Sequence, residues 1–213
     1  MRFLHTADWH LGRIFYGQYL TEDQAHVLEH QFFNILRDEN IDGILLAGDV
    51  FDRAVPPIEA IELWDSIITR LAMDYKVPLF VVSGNHDGAE RLEVGRSMLG
   101  QSGIHIWGSP HHALKPFEFE GTDGKVAICP MPFSEPRRIG EALFADVEST
   151  NTETTNIEIA DIVTPCYEQN CESALNLHNY DQMYQAWSNY LYKQVPKGMR
   201  SIAISHAFVM GGE

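Results

Sequence analysis

Ile41-Asp42-Gly43-Ile44-Leu45-Leu46-Ala47-Gly48-Asp49 is the stretch that decides the fold. Its apolar run stops abruptly at Gly48-Asp49, the pattern of a strand handing over to a polar loop. Pro56-Pro57 follows, and Ile58, Ile61, Trp64, Ile67, Ile68 and Leu71 then recur at helical spacing. The same unit stands on either side. Upstream, Phe3 to Ala7 ends in Asp8-Trp9-His10, and Thr21 opens a helical pattern carrying Ala25, Leu28, Phe32, Ile35 and Leu36. Downstream, Val77 to Ser83 ends in Gly84-Asn85-His86-Asp87, before a helix expected from about Glu90 to Leu99. Three strand-loop-helix units predict an α/β fold around a largely parallel sheet. Ile104 to Trp107 reads as another strand. Phe117-Glu118-Phe119 and Val126-Ala127-Ile128, joined through Gly121-Thr122-Asp123-Gly124, read as a hairpin of a second sheet or a sheet edge.

The rest of the chain bounds the problem. Its 213 residues are 45% hydrophobic, enough for one domain with some remainder for an insertion. The segment from about 140 to 195 is acidic and weakly periodic, and reads as an insertion within that domain. Residues 139 to 192 carry nine acids and no Lys or Arg. Tyr180 to Tyr192 has helical spacing, with Tyr184, Trp187 and Tyr190 read as core rather than base-stacking residues. Ser201 to Ser205 returns to strand character and ends in His206. No apolar run reaches the length of a membrane span, and the expected location is cytoplasmic and nucleoid-associated. Three cysteines are too few and too badly spaced for a disulfide scaffold. Cys166, Cys171 and His178 lack the second Cys pair of a zinc site and read as ordinary side chains.

Chemistry concentrates where strands end. Asp8 and His10, Asp49, Asn85 and His86, and His206 each follow the C-terminal end of a different expected strand, and parallel strands bring such ends to one rim. Carboxylate, amide and imidazole without thiolate suit Mn²⁺, Fe²⁺ or Zn²⁺, with Mg²⁺ also open, in a catalytic rather than a structural role. A carboxylate such as Asp49 can bridge two ions, which together clamp a phosphate and generate hydroxide. His5, His26, His30, His105, His111 and His112 belong to no such motif. Arg13 and Tyr16, in the loop after His10, are open to two readings, contact with a nucleic-acid backbone or plain solvated loop residues. The 15 basic and 30 acidic residues, net −15, run against a nucleic-acid substrate, although charge near the site matters more than the total.

Asp8-x-His10, Gly48-Asp49-x-x-Asp52, Gly84-Asn85-His86-Asp87 and Ser205-His206, in this order, resemble the calcineurin-like metallophosphoesterases. The longer stretches His5 to Gly12, Ala47 to Asp52 with Pro56-Pro57, and Cys129 to Phe133 are similar to the bacterial DNA exonucleases of that family. The resemblance implies a four-layer α/β/β/α sandwich, incomplete at its C-terminal end. It implies that Asp8, His10 and Asp49 hold one ion and that Asp49, Asn85 and His206 hold the other, and it puts Mn²⁺ first among the candidate ions. It gives His86, oriented by the Asp52 carboxylate, the leaving-group oxygen, and it gives Arg53 a phosphate contact. Implied partners are DNA, the ATPase subunit of a double-strand-break repair complex, and a second copy packed through the helices near Ile58 to Leu71 and Glu90 to Leu99. A later Gly-His-x-His segment has no counterpart before Glu213, so the chain is expected to be the N-terminal part of such a nuclease, with weak activity by itself. A phosphatase or phosphodiesterase acting on small molecules or phosphoproteins, and a non-catalytic scaffold, are the competing readings.

Overall fold

The computed structural model describes residues 1–150 and 179–207. In chain order the strands are β1 (Phe3–Thr6), β2 (Ile14–Phe15), β3 (Gln18–Tyr19), β4 (Gly43–Ala47), β5 (Leu79–Val82), β6 (Ile104–Trp107), β7 (Phe117–Gly121), β8 (Gly124–Met131) and β9 (Arg200–Ser205). The helices are α1 (Thr21–Val27), α2 (Phe33–Asp38), α3 (Ile58–Arg70), α4 (Ala89–Leu92), α5 (Arg96–Gln101), α6 (Pro136–Thr150) and α7 (Tyr180–Gln194). A π-helical turn, Leu28–Phe32, joins α1 to α2.

The first sheet runs β1-β4-β5-β6, every pair parallel, with Thr6 opposite Leu46 and Ala47 opposite Val82. Both faces are covered, so alternate residues of one strand serve two cores. Ile44, Leu46, Leu79, Val81, Ile104 and Ile106 pack under the helices that carry Leu28, Phe33, Trp64 and Ile67. Leu45, Ala47, Phe80, Val82 and Trp107 face the second sheet. That sheet runs β7-β8-β9, antiparallel then parallel. The rings of Phe117 and Phe119 meet Phe80 across the gap at 5.8 and 5.2 Å. Helices α6 and α7 complete the same core with Ile139, Leu143, Met183 and Trp187. The layers are therefore helix, sheet, sheet, helix.

Two elements differ from expectation. The helix expected from Glu90 to Leu99 is two short helices broken at Gly95, whose φ of +76° is a left-handed conformation open to glycine at little cost. Helix is also present as far as Thr150, inside the segment read as a weakly periodic insertion, because Ile139, Ala142 and Leu143 fall on one buried face. The middle of that segment, with Cys166, Cys171 and His178, lies outside the described residues. Trp187 is fully buried and donates its indole N–H to the Ala113 carbonyl, as a core residue should.

Candidate metal centre

Three loops leave the C-terminal rim of the first sheet, and backbone stitches the first to the second. The Asp8 N–H donates to the Gly48 carbonyl, His10 to Asp49, Leu11 to Val50, and Asp52 back to Leu11, at 2.9 to 3.1 Å. Trp9 points away from the rim and wedges its ring edge-on against Phe32 and Trp64 in the helix-side core. Its neighbours Asp8 and His10 are thereby turned toward the rim. Asp8, His10 and Asp49 have φ of +56°, +44° and +50°. Left-handed backbone at three non-glycine residues of one site is strain of the kind that functional loops retain.

Close approach explains the two glycines. A Cβ on Gly48 would lie 2.3 Å from the His206 ring, and one on Gly84 would lie 2.0 Å from Asp49 Oδ1. The loops therefore close on one another only with glycine at both places.

The side chains converge. Ligand atoms of Asp8, Asp49 and His206 lie within 4.8 Å of one another, and so do those of His10, Asp49 and His86. Asp49 belongs to both sets, where a bridging carboxylate has to be. It is only 3% exposed. Its Oδ1 accepts from the His86 backbone N–H, leaving Oδ2 at 3.6 Å from His10 Nε2 and 3.7 Å from His206 Nε2. The His206 Nδ1 donates to the Ala47 carbonyl at 2.9 Å, which leaves Nε2 with a free lone pair. That lone pair faces Asn85 Oδ1 at 3.0 Å.

This donor set fits divalent cations. Lone pairs of His206, Asn85 and Asp49 point into one space, and a carboxylate this deeply buried calls for positive charge nearby. The His10 Nδ1 is buried without a hydrogen-bond partner, and the Asp52 carboxylate stands 3.6 Å from it. A ring nitrogen coordinated on its other side would gain basicity from such an acidic neighbour.

The structure corrects one detail of the expected arrangement. The Asp52 carboxylate lies beside His10, and it is the Asp52 backbone carbonyl that accepts from His86 Nδ1, at 2.8 Å. The His86 ring stands edge-on to His10 with centroids 4.8 Å apart, so it is near enough to the cluster to be a ligand as well as a proton donor. Arg13 and Arg53 are exposed on the loops just after His10 and Asp52, and neither makes an ion pair among the described residues.

Two residues that are not themselves expected ligands hold the loops in place. The Gln24 amide, on α1, donates to the carbonyls of Trp9 and His10 at 3.0 and 2.8 Å and accepts from the Gly12 N–H at 3.1 Å. The Asp87 carboxylate accepts from the backbone N–H groups of Val50, Phe51 and Gly84 at 3.1, 2.9 and 2.8 Å. Burial pushes the Asp87 carboxyl above its ordinary range, while the three N–H donors pull it the other way. Gln24 thus fixes the first loop, and Asp87 ties the second to the third. Ser83 anchors the third loop from below, its hydroxyl donating to the Gly108 carbonyl and its own carbonyl accepting from the Phe133 N–H.

Among known proteins, the profile of the calcineurin-like phosphoesterase family matches residues 1–193. A curated relative, the SbcD component of the nuclease SbcCD of Staphylococcus saprophyticus subsp. saprophyticus, is 39% identical over 134 residues. That match covers 63% of this chain and 34% of the relative, so the chain aligns with about a third of that protein. Among the described residues, no helix is long and apolar enough to cross a membrane. Fold, rim and matching profile agree that the chain belongs to the calcineurin-like phosphoesterase family of metal-dependent hydrolases.

Proposed function

We propose that this chain is the catalytic part of a DNA nuclease that hydrolyses phosphodiesters with two divalent metal ions. The observation that carries the reading is the position of Asp49, shared between two sets of ligand atoms at the meeting point of four strand ends. In this reading Asp8, His10 and Asp49 hold one ion, and Asp49, Asn85 and His206 hold the other. When bound, the pair supplies a hydroxide nucleophile and offsets charge on the phosphate. His86, with Nδ1 held by the Asp52 carbonyl, presents its other nitrogen to the leaving oxygen and donates a proton there. The Asp52 carboxylate keeps His10 oriented. Arg53 and Arg13, exposed and in no ion pair among the described residues, bind phosphates of the substrate strand. Mn²⁺ is the ion we assign by resemblance to the bacterial DNA exonucleases, and oxygen and imidazole donors without thiolate accommodate it as they would Fe²⁺ or Zn²⁺.

Support for a nucleic-acid substrate comes from the named relative, a component of a nuclease complex. By extension, an SbcC-type ATPase is the proposed partner, acting with this chain on double-strand ends and at hairpins. A second copy is the other proposed partner. Val55, Ile58, Ile61, Val94 and Met98 leave apolar side chains exposed around a groove of about 480 Å³ between α3 and the α4–α5 segment. An apolar patch of this kind suits a self-complementary interface.

The deciding measurement is a ratio of rates. With Mn²⁺, linear duplex DNA should be cleaved more efficiently than bis(p-nitrophenyl) phosphate, and EDTA should abolish both. Faster turnover of the chromogenic ester, with duplex DNA untouched, would favour a small-molecule phosphodiesterase.

A further inference from the structure

We propose that Phe133 and Tyr180 form an aromatic shelf that stacks a nucleobase next to the phosphate seated at His206. The proposal rests on the phosphodiesterase reading above and adds to it a subsite for the base. Phe133 follows the end of β8 and stands edge-on to the His206 ring, with centroids 6.4 Å apart and planes at 82°. Tyr180, at the start of α7, continues from Phe133 at 6.4 Å and 32°, and Tyr184 lies behind it at 6.5 Å and 23°. The three rings thus make a stepped surface that begins at a candidate ligand.

This surface is fixed to the metal loops. The Phe133 N–H donates to the Ser83 carbonyl at 2.8 Å, one residue before Gly84-Asn85-His86. The Tyr184 hydroxyl accepts from the Ser134 N–H at 3.0 Å and donates to the Pro132 carbonyl at 3.4 Å. Burial pushes the Tyr184 phenol up to about 12, so this hydroxyl stays protonated and can hold both contacts at working pH. Phe133 is therefore pinned from both sides, at the third loop and at α7.

Packing alone does not account for Tyr180. Along the same helix Met183, Trp187, Tyr190 and Leu191 are buried, whereas Tyr180 is 46% exposed. Its ring contributes little to the core and stands half exposed between Phe133 and Tyr184.

Charge points the same way. The chain carries a net −15, so attraction of the whole molecule for a polyanion is unfavourable. The nearby cations Arg137 and Arg138 are engaged by Glu141 and Glu90. Beyond the phosphate contacts proposed for the metals, Arg53 and Arg13, a non-ionic contribution adds hold on the nucleotide, and base–aromatic stacking supplies it without regard to sequence.

The test compares two ligands with the same phosphate, deoxyadenosine 5′-monophosphate and 2-deoxyribose 5-phosphate, titrated into the Mn²⁺-loaded chain. Wild type should bind the nucleotide about tenfold more tightly than the sugar phosphate. The ratio should be insensitive to salt, because screening acts equally on both phosphates. Tyr180→Ala should bring the ratio to about one and Tyr180→Trp should restore it, with bound Mn²⁺ unchanged in both. Phe133→Leu, which keeps most of the volume, should lower the ratio in the same direction. Equal affinities in wild type, or a ratio that survives Tyr180→Ala, would overturn the shelf while leaving the phosphodiesterase reading intact. If wild type bound neither ligand, that reading would fail and the shelf with it.

Discussion

The rim of the first sheet and the seam between the two sheets are built from the same strands and obey opposite rules. Strand β4 shows both within a few residues. Leu45 and Ala47 enter the inter-sheet core in ordinary extended backbone, and Gly48 and Asp49, directly after them, turn left-handed. At the seam, Phe80, Trp107, Ile128 and Trp187 are buried with only carbon or satisfied polar atoms around them. Each such side chain contributes about 1.5–3 kcal/mol by leaving water. At the rim, each left-handed non-glycine residue costs about 1–2 kcal/mol, and Asp49 buries a carboxylate besides. The difference teaches that the seam stabilises the fold against a rim that is strained and charged in order to gather ligands.

The largest effect should follow from the rim. Asp49→Ala should abolish binding of two ions and lower phosphodiesterase turnover by at least about a thousandfold. The metal-free variant should unfold at close to the wild-type denaturant concentration, since the carboxylate it loses is itself costly to bury. Metal analysis and urea unfolding check both halves. Unfolding of the variant as severe as that of a core deletion would break the comparison.

The seam should behave in reverse. Trp187→Ala removes a fully buried indole and its hydrogen bond to Ala113, and should cost about 3–5 kcal/mol of stability. Under conditions where the variant is still folded, its affinity for Mn²⁺ should match wild type, because no residue of the ligand sets changes. A calorimetric titration with a large loss of metal affinity would show that seam and rim are not separable.

An intermediate effect is expected where rim and scaffold meet. Gln24→Ala should weaken metal binding and turnover about 10- to 100-fold, the scale of removing a group that orients ligands. Gln24→Glu keeps an acceptor for the Gly12 N–H but sets a carboxylate against the carbonyls of Trp9 and His10, so it should not rescue. A fully active Gln24→Glu would show that the amide does not position the loop.

What could be read in advance follows the same division. Strands buried on both faces are continuous apolar runs, so β4 and β5 stand out, and the residue types at their ends and after the edge strand β1 announce a metal site. The gathering of Asp8, His10, Asp49, Asn85 and His86 at one rim was legible for that reason, whereas His206 reaches them from the end of β9 in the second sheet. Gln24 was not, because an amide that reaches back across 14 residues to a carbonyl leaves no periodic or motif signal. The role of Asp87 was not legible either, because the backbone N–H groups through which it ties two loops could come from any residue type. The Asp52 contact was misread since its carbonyl, which any residue would supply, holds His86. The break at Gly95 was hidden because apolar residues continue at helical spacing across it.

The smallest effect lies inside the seam and depends on pH. His105 stacks on Phe80 at 5.3 Å and lies 4.2 Å from the ring of Phe117, and burial holds its imidazole below the ordinary value of 6.5. The neutral ring is therefore favoured in the folded chain. Well above pH 6.5 the residue is neutral in both states, and its contribution to stability is full. As the pH falls through 6.5 the unfolded chain takes up a proton that the folded chain refuses, and stability declines. The decline ends once the pH has passed below the folded value, where both states are protonated. His105→Gln cannot titrate, so the difference in urea midpoint between wild type and variant should shift against wild type from pH 7.5 to pH 5. A difference that stays constant, or moves in favour of wild type, would mean that the protonated imidazole is accommodated at the seam, and the contrast between an apolar seam and a charged rim would not hold at this residue.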